Sequence, residues 1–339
     1  MARPVELQGG TYTLTTIAAT GERFRDFAPY VASINNQGVV AFQAALRDGG
    51  SGVFTSSGGA VARVVDSATG PFREVCSHPD IASDGSCCFY AILKSGGRGV
   101  FLVRGEEAIT ISETGGPLGP TMNEAGIVAF RAESEAGHAG VYTGSGGGAV
   151  TTIAANAEKF ATFHGLPVIN SAGAVAFRAD LRGGGQGVYI GDGKRLSAMV
   201  ETGEMFSTLG FFPVLNDAGT VAFCGTLCDG RSGVFAASES GITTVLDSAG
   251  PFESFRGVHL NNTGRLVFYA TPRGGTLGIF TGPEPRHDRV LALGLPLFGS
   301  TIEDFALNAV SINDAGQMAI RVRLADQRQF ILRADPIEV

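Results

Sequence analysis

The stretch Asn35-Asn36-Gln37-Gly38-Val39-Val40-Ala41-Phe42 recurs along the chain and decides the fold. Seven copies of this octet, Asn-x-x-Gly-x-Val-Ala-Phe, some close and some loose, start at Asn35, Ala82, Asn123, Asn170, Asn216, Asn261 and Asn313. Subtracting successive starts gives spacings of 47, 41, 47, 46, 45 and 52 residues. A repeat of this length that holds several short strands is typical of a β-propeller blade.

The octet itself predicts a hairpin tip. Asn at the first position and Gly at the fourth are the preferences of a type I turn, after which the Gly takes a left-handed conformation. Val-Ala-Phe then begins a strand. We therefore expect a positive φ at the octet glycines, among them Gly126, Gly173 and Gly219.

The first repeat divides into four short strands. We place strand a at 30–34, strand b at 39–46, the start of strand c at Gly52 and strand d at 60–65. Gly-Val-Phe and its variants mark strand c again at Gly99, Gly140, Gly187, Gly233 and Gly278. Glycine, at 50 residues, suits many short strands that are joined by tight turns.

The two ends of the chain predict how the ring closes. The seventh repeat stops without a strand d, whereas residues 12–18 resemble the strand d segments at 149–154 and 242–246. We expect residues 12–18 to pair with the strand near 329–333, which removes an exposed sheet edge. The fold predicted is an all-β, seven-bladed β-propeller with four antiparallel strands per blade, as one domain over residues 1–339.

Composition argues against several kinds of partner and indicates a cellular location. The net charge of −7 argues against nucleic acid and anionic membranes, which need a basic surface. The sequence has no apolar run of membrane-spanning length, and its start resembles no signal peptide, so we expect a cytoplasmic protein. Five cysteines, two of them adjacent, make a poor disulfide framework, and none has the spacing of a zinc site. No metal site is predicted.

The repeated octet also resembles a known family. It is similar to the bacterial tandem-repeat proteins that are named for the NxxGxVAF phrase, many of which are secreted and carry a C-terminal anchor. The resemblance covers almost the whole chain and implies a propeller. It implies no activity and transfers no site residues.

Three of the five histidines fall on the first half of strand a, near the expected top mouth of the channel. They lie four, six and two residues before an octet and are our candidate catalytic residues: His78, His164 and His259. Polar residues of the same segments are the candidate ligand-binding residues: Asp80, Thr121, Arg256 and Ser311. The alternative is that the histidines pack between blades and bond to backbone groups.

Two functions from different classes fit this pattern. In the first, the mouth binds a polar small molecule and transforms it by histidine acid–base chemistry, as a lyase, hydrolase or isomerase. In the second, the ring is a non-catalytic scaffold for a protein partner. The sequence has no phosphate-binding loop, dinucleotide fingerprint or His-Glu-x-x-His motif, so the cofactor is unknown.

Ring closure by the N-terminal strand is directly testable. Removing residues 1–20 should lower the thermal unfolding midpoint sharply, because the last blade loses a strand and its sheet edge becomes exposed. Thermal unfolding followed by circular dichroism measures this. A truncated chain that melts with the full chain would refute the closure.

Overall fold

The computed structural model describes residues 5–6, 11–114, 119–133, 138–157 and 159–337. These residues form seven antiparallel sheets with no helix among them, and hence no helix that could span a membrane. The protein is a seven-bladed β-propeller, as the octet spacing predicted.

The strands follow the chain blade by blade. The N-terminal strands β1 (Val5–Glu6) and β2 (Tyr12–Ala19) belong to the last blade. Blade 1 contains β3 (Phe24–Asp26), β4 (Ser33–Ile34), β5 (Val40–Leu46), β6 (Ser51–Ser56) and β7 (Ala62–Asp66). Blade 2 contains β8 (Phe72–Val75), β9 (Asp80–Ile81), β10 (Cys87–Leu93), β11 (Arg98–Arg104) and β12 (Glu107–Ser112). Blade 3 contains β13 (Thr121–Met122), β14 (Val128–Glu133), β15 (Ala139–Gly144) and β16 (Val150–Ala155).

Blades 4 to 7 repeat the arrangement. Blade 4 contains β17 (Phe160–Ile169), β18 (Val175–Leu181), β19 (Gln186–Gly191) and β20 (Leu196–Glu201). Blade 5 contains β21 (Phe206–Leu209), β22 (Val214–Leu215), β23 (Val221–Leu227), β24 (Ser232–Ser238) and β25 (Gly241–Asp247). Blade 6 contains β26 (Phe252–Leu260), β27 (Leu266–Pro272), β28 (Gly278–Phe280) and β29 (Arg289–Ala292). Blade 7 contains β30 (Pro296–Leu297), β31 (Ser300–Ala306), β32 (Met318–Leu324) and β33 (Gln329–Pro336).

Strand a of blade 1 differs from its predicted bounds, residues 30–34. In blade 1 it is split into β3 and β4, both paired with β5, and the intervening residues leave the sheet. Strand a is similarly split in blades 2 and 5 but continuous in blades 4 and 6. The breaks leave room at the channel mouth for side chains from the intervening residues.

The N-terminal strand closes the ring as expected. β2 pairs antiparallel with β33, from Tyr12 opposite Pro336 to Ala19 opposite Phe330. β1 adds a further strand outside β2. The last blade is therefore built from both ends of the described chain.

Each blade from 1 to 6 is centred on aromatic rings. The octet Phe lies directly opposite an aromatic residue of strand c, as Phe42 lies opposite Phe54 and Phe177 opposite Tyr189. In blades 1, 2, 4, 5 and 6 a third ring from the start of strand a packs on this pair, with centroids 4.8–5.0 Å apart. Burying such rings supplies much of the apolar stabilisation of a blade.

Glycines meet two separate requirements in the repeat. The octet glycines all have a positive φ, between 75° and 84°, which confirms the turn prediction. The glycine before strand c has a different reason. A Cβ at Gly52 would lie 2.6 Å from the carbonyl oxygen of Val65 on the neighbouring strand d. Strand c therefore approaches strand d more closely than any larger residue allows.

The octet asparagines join the blades into a ring. The Asn35 amide donates to the carbonyl of Ala82 in the next blade at 3.1 Å, and the Asn313 amide donates to the carbonyl of Asn35 at 2.9 Å. Four more links run the same way, from Asn123, Asn170, Asn216 and Asn261. Each asparagine oxygen also accepts a backbone N–H of its own turn, four residues on.

In three repeats the residue just after the octet makes a second contact with the backbone of the next blade. The Gln43 amide donates to the carbonyl of Val75 at 3.4 Å, and the Arg131 guanidinium donates to the carbonyl of Phe163. Tyr269 bonds to the backbone of Leu307 in the same way. Long polar side chains at this position therefore satisfy backbone groups that strand a leaves open near the mouth.

Ala82 is the one octet start without an amide, so the asparagine ring lacks the link from blade 2 to blade 3. Ala82→Asn should supply it and raise the free energy of unfolding by about 1 kcal/mol. Denaturant unfolding measures this change.

The matched control removes a link that exists. Asn170→Ala should lower the free energy of unfolding by about 1–3 kcal/mol, because the N–H of Ala174 and the carbonyl of Asn216 lose their partner. If Asn170→Ala lowers the free energy of unfolding while Ala82→Asn leaves it unchanged, an amide at position 82 does not form the missing link from blade 2 to blade 3.

Candidate functional site

A cavity of about 480 Å³ lies at the end of the channel opposite the octet turns, within the roughly 300–1,000 Å³ typical of small-molecule pockets. We call it the mouth pocket. Its walls come mostly from strand a and the breaks in it. The lining residues are Pro29, Tyr30, Val31, His78, Leu166, Phe212, Val214, Arg256, Gly257, Val258, His259, Tyr269, Leu277, Asp304, Phe305, Leu307, Asn308 and Ala309.

His259 is a buried imidazole in the wall of this pocket. Its side chain is edge-on to Tyr269, with the ring centroids 5.7 Å apart. Burial lowers the pKa of His259 to about 4, and the backbone of Asn308, which favours the protonated ring, opposes only part of this. Neither ring nitrogen makes a hydrogen bond of regular geometry to the described residues. The ring is therefore neutral at pH 7 and has unused hydrogen-bonding capacity.

Tyr269 and Asp304 line the pocket but are already engaged. The Tyr269 ring stacks on Phe305 with an interplanar angle of 3°, and its hydroxyl bonds to the backbone of Leu307. Burial raises the pKa of Tyr269, so its hydroxyl stays protonated. Asp304 accepts a hydrogen bond from the buried Arg321 guanidinium at 3.1 Å. The acidic charge of the pocket is thus neutralised by its own partner.

Arg256 is the contrasting charge. It lines the pocket, is exposed, and makes no hydrogen bond or ion pair with any residue that the structure describes. With Asp304 paired, the uncompensated charge at the mouth is positive. This arrangement suits a ligand that carries an anionic group, since a guanidinium binds carboxylates through two parallel N–H groups.

His78 brings a second imidazole into the pocket from blade 2. It is buried, and its Nδ1 lies 3.2 Å from the carbonyl oxygen of Pro79. A Cβ at Gly119 of blade 3 would lie only 3.0 Å from the His78 Nε2. The glycine thus leaves the room that the imidazole occupies. The structure brings together three of the candidate residues, His78, Arg256 and His259.

Three other candidates hold blades together. Each lies two residues before an octet and reaches strand a of the next blade. Thr121 donates to the carbonyl of Pro167 at 2.9 Å, and Ser311 donates to the carbonyl of Ala32 at 2.6 Å. Asp80 accepts the N–H of Met122 at 2.7 Å. None of the three lines the mouth pocket. His259 occupies the equivalent position in blade 6, where no such regular bond forms.

His164 lies in a separate cluster on blade 4. Its Nε2 is 2.7 Å from the Asp180 carboxylate and 3.0 Å from the Thr162 hydroxyl. Arg178 contacts the same carboxylate at 3.0 Å. Burial would raise the pKa of Asp180, but the hydrogen bond from His164 and the charge of Arg178 outweigh this and lower it. His164 is not among the residues that line the mouth pocket.

The opposite end of the channel is lined by the octet turns. A cavity of about 250 Å³ lies there, and its acidic side chains serve the interblade contacts. Asp217 accepts the N–H of Ser171, and Asp314 accepts the N–H of Asn262. Across the described ranges, no three His, Cys, Asp or Glu side chains are arranged to hold a metal ion.

Sequence reasoning missed two features of the mouth. Tyr269 follows an octet, and its strand b position did not indicate a contact with the pocket. Phe212 is 45% exposed and lines the pocket, next to Phe211, which is 55% exposed. Two adjacent aromatic residues within a strand a segment, at Phe211-Phe212, were a visible signal for the second feature.

The fold and this pocket define a seven-bladed β-propeller with a small-molecule-sized opening at its channel mouth. The chain is similar to an oligogalacturonate lyase from Vibrio parahaemolyticus, with a TM-score of 0.59 and 10% identity over 96% of each chain. It is also similar to the polysaccharide lyase Uly1, with a TM-score of 0.55 and 10% identity over 94% of this chain and 93% of that one. No known protein family and no curated protein matches the sequence. At this identity the similarities establish the propeller fold.

The placement of Asp80 predicts a pH-dependent stability. Burial raises the pKa of Asp80 to about 7, although the N–H groups of Met122 and Ile81 favour its ionised form. In the unfolded chain the pKa is about 3.9. Because the folded pKa is raised, Asp80 contributes stability that is lost as the pH rises from about 4 through about 7. Asp80→Asn cannot ionise, so its stability relative to the unaltered protein should improve over that range.

Denaturant unfolding at several pH values measures this difference. Asp84→Asn is the matched control on the same blade, because the pKa of Asp84 is lowered by hydrogen bonds from Ser86. Its stability difference should stay flat over the same range. A flat difference for Asp80→Asn as well would show that Asp80 ionises as readily in the folded protein as in the unfolded chain.

Proposed function

We propose that the protein binds a small organic acid in the mouth pocket, with the ligand's carboxylate on Arg256. The observation that carries this proposal is an exposed guanidinium that no described residue pairs with, at a cavity whose wall holds the neutral imidazole of His259 with unused hydrogen-bonding capacity. Buried polar groups without partners cost stability, typically about 1–3 kcal/mol each. A ligand hydroxyl that reached His259 would offset that cost.

The rest of the pocket wall favours a ligand with an apolar face. Leu166, Val214, Leu277 and Phe305 line it alongside the polar groups. A cyclic sugar acid combines a carboxylate, several hydroxyls and a face of C–H groups. The names of the oligogalacturonate and polysaccharide lyases, which share the fold, make uronic acids the first probes to test.

Binding is better supported than histidine acid–base catalysis. A general base is most effective when its pKa lies near the working pH. The pKa of His259, at about 4, makes that ring a weak base at pH 7. Turnover as a lyase, hydrolase or isomerase would need a base with a higher pKa in the pocket. We therefore propose recognition of the acid as the primary function.

A protein scaffold has less support. Such a role favours a broad apolar patch on the rim. The exposed large hydrophobic side chains of the described residues are dispersed over several strands and loops: Val150, Leu196, Met205, Phe211, Phe212 and Ile337. Only the adjacent pair Phe211 and Phe212 is at the mouth, and Phe212 belongs to the pocket itself.

We also propose that the chain belongs with the NxxGxVAF repeat proteins. The support is the asparagine ring, in which the first letter of the motif makes the interblade bond in six of the seven repeats. A motif whose defining residue joins neighbouring blades accounts for its repetition through the chain.

Calorimetric titration with galacturonate tests the binding proposal, with galactose as the uncharged counterpart. We expect galacturonate to bind and galactose to bind at least about tenfold more weakly, since a charge-assisted hydrogen bond contributes about 1.5–3 kcal/mol. Arg256→Gln should weaken galacturonate binding by about 10- to 100-fold. It should leave the thermal unfolding midpoint unchanged, because Arg256 contacts no described partner.

Arg195→Gln is the matched control, since Arg195 is exposed on blade 4 and does not line the pocket. Its galacturonate affinity should equal that of the unaltered protein. Equal binding of galactose and galacturonate, or an Arg256→Gln variant with full affinity, would contradict the proposal.

A further inference from the structure

The segment Gly210-Phe211-Phe212-Pro213, which we call the strap, belongs to blade 5 and lies against blade 4 beside the mouth pocket. It fills the break in strand a between β21 and β22, both of which pair with β23. The N–H of Gly210 donates to the carbonyl of Cys224 at 2.8 Å. The strap is therefore held at both ends by the sheet of its own blade.

The two phenylalanines of the strap have different surroundings. The Phe211 ring lies over the guanidinium of Arg178, 4.9 Å from its carbon, and 5.6 Å from the His164 ring. Phe212 instead lines the mouth pocket. Both rings remain about half exposed, and such exposure of adjacent large aromatic residues is unusual unless they meet a ligand or partner.

Blade 4 is shaped to receive the strap. Gly165 has a φ of +66°, at a point where the pairing of β17 with β18 shifts register. A Cβ at Gly165 would overlap the carbonyl oxygen of Phe211 and lie 3.2 Å from the Phe212 ring. The irregularity in strand a of blade 4 thus allows a close approach that no other residue type would permit.

The cluster around Arg178 holds the strap through the contact of its guanidinium with the Phe211 ring. The Arg178 side chain is 2% exposed, and Asp180 binds it on one side while the Phe211 ring covers it. Asp180 is in turn held by His164 and Thr162. A cation beneath an aromatic face is an attractive contact, and it is stronger when the cation is desolvated. This cluster gives Phe211 a preferred place and, through the chain, positions Phe212.

We propose that Phe212 is the ring-recognition residue of the mouth pocket, and that His164, Arg178 and Phe211 position it. The ligand class is a cyclic acid, whose ring stacks on Phe212 while its carboxylate binds Arg256. An aromatic face and the C–H face of a sugar ring are apolar surfaces of similar width, so the contact selects ring-shaped ligands. This inference rests on the proposed binding of an organic acid. It assigns to Phe212 the selection of cyclic over open-chain ligands.

The first test compares two acids with the same charge. Galacturonate is cyclic, whereas gluconate is an open chain with a carboxylate and hydroxyls. Phe212→Ala should weaken galacturonate binding by about 5- to 20-fold and change gluconate binding by less than twofold. Met205→Ala is the matched control, because Met205 is an exposed hydrophobic residue of the same blade outside the pocket. Arg256→Gln should weaken both acids alike.

The second test uses the absence of tryptophan from the chain. Phe212→Trp places a single tryptophan at the pocket, and Phe211→Trp places one a residue away, on Arg178. Excitation at the red edge of the tryptophan band avoids the six tyrosines. Galacturonate should change the emission of the Phe212→Trp variant and leave that of Phe211→Trp unchanged, whereas gluconate should change neither. Gly165→Ala in the Phe212→Trp background should shift the emission without any ligand, because the added methyl displaces the strap.

The outcomes separate the two proposals. If Phe212→Ala weakens both acids equally, or neither, Phe212 does not recognise the ligand ring and the inference is wrong. Weaker binding of both acids to Arg256→Gln would still support acid binding. If Arg256→Gln has no effect but Phe212→Ala does, the carboxylate assignment fails and ring stacking stands. If neither acid binds the unaltered protein, both proposals are overturned.

Discussion

The interaction on which the rest of the structure depends is the hydrogen bond from an octet asparagine to the backbone of the next blade. One amide group does two tasks, because its oxygen closes its own turn and its nitrogen holds the neighbouring blade. The link from Asn313 to Asn35 joins the last repeat to the first. Such bonds fix the spacing of strand a around the channel, and apolar packing between sheets alone has no comparable directionality.

The two ends of the channel differ, because the repeated interblade bonds are at the octet end and the mouth can vary in sequence. At the octet end, side chains are short and their polar groups are used in interblade bonds, as in the contacts of Asp217 and Asp314. At the mouth, strand a is interrupted in several blades, and the residues of the breaks differ from blade to blade. The pocket exists because this end does not carry the repeated bond pattern. The residues that we propose bind a ligand therefore lie where the repeat is least regular.

The electrostatics of the mouth follow from which charges already have partners. Asp304 is paired with Arg321, and Asp180 is paired with Arg178 and His164. Arg256 has no such partner among the residues that the structure describes, so its charge determines the sign of the pocket. His259 contributes no charge, since burial lowers its pKa to about 4. A cationic rim above a neutral polar wall favours binding of an anion over proton transfer at pH 7.

The sequence alone determined the seven blades, the turn geometry and the ring closure, because each follows from local rules repeated seven times. The octet glycines needed a positive φ, and residues 12–18 had to complete the last sheet. It also located His78, Arg256 and His259 in the half of strand a near the mouth. Only the tertiary structure decided that Thr121, Asp80 and Ser311 bond to the next blade, that His164 lies apart, and that Phe212 enters the pocket. Those outcomes depend on strand breaks, on blade twist and on contacts between blades. The bonds of Thr121, Asp80 and Ser311 join residues 46, 42 and 279 positions apart, which no single repeat encodes.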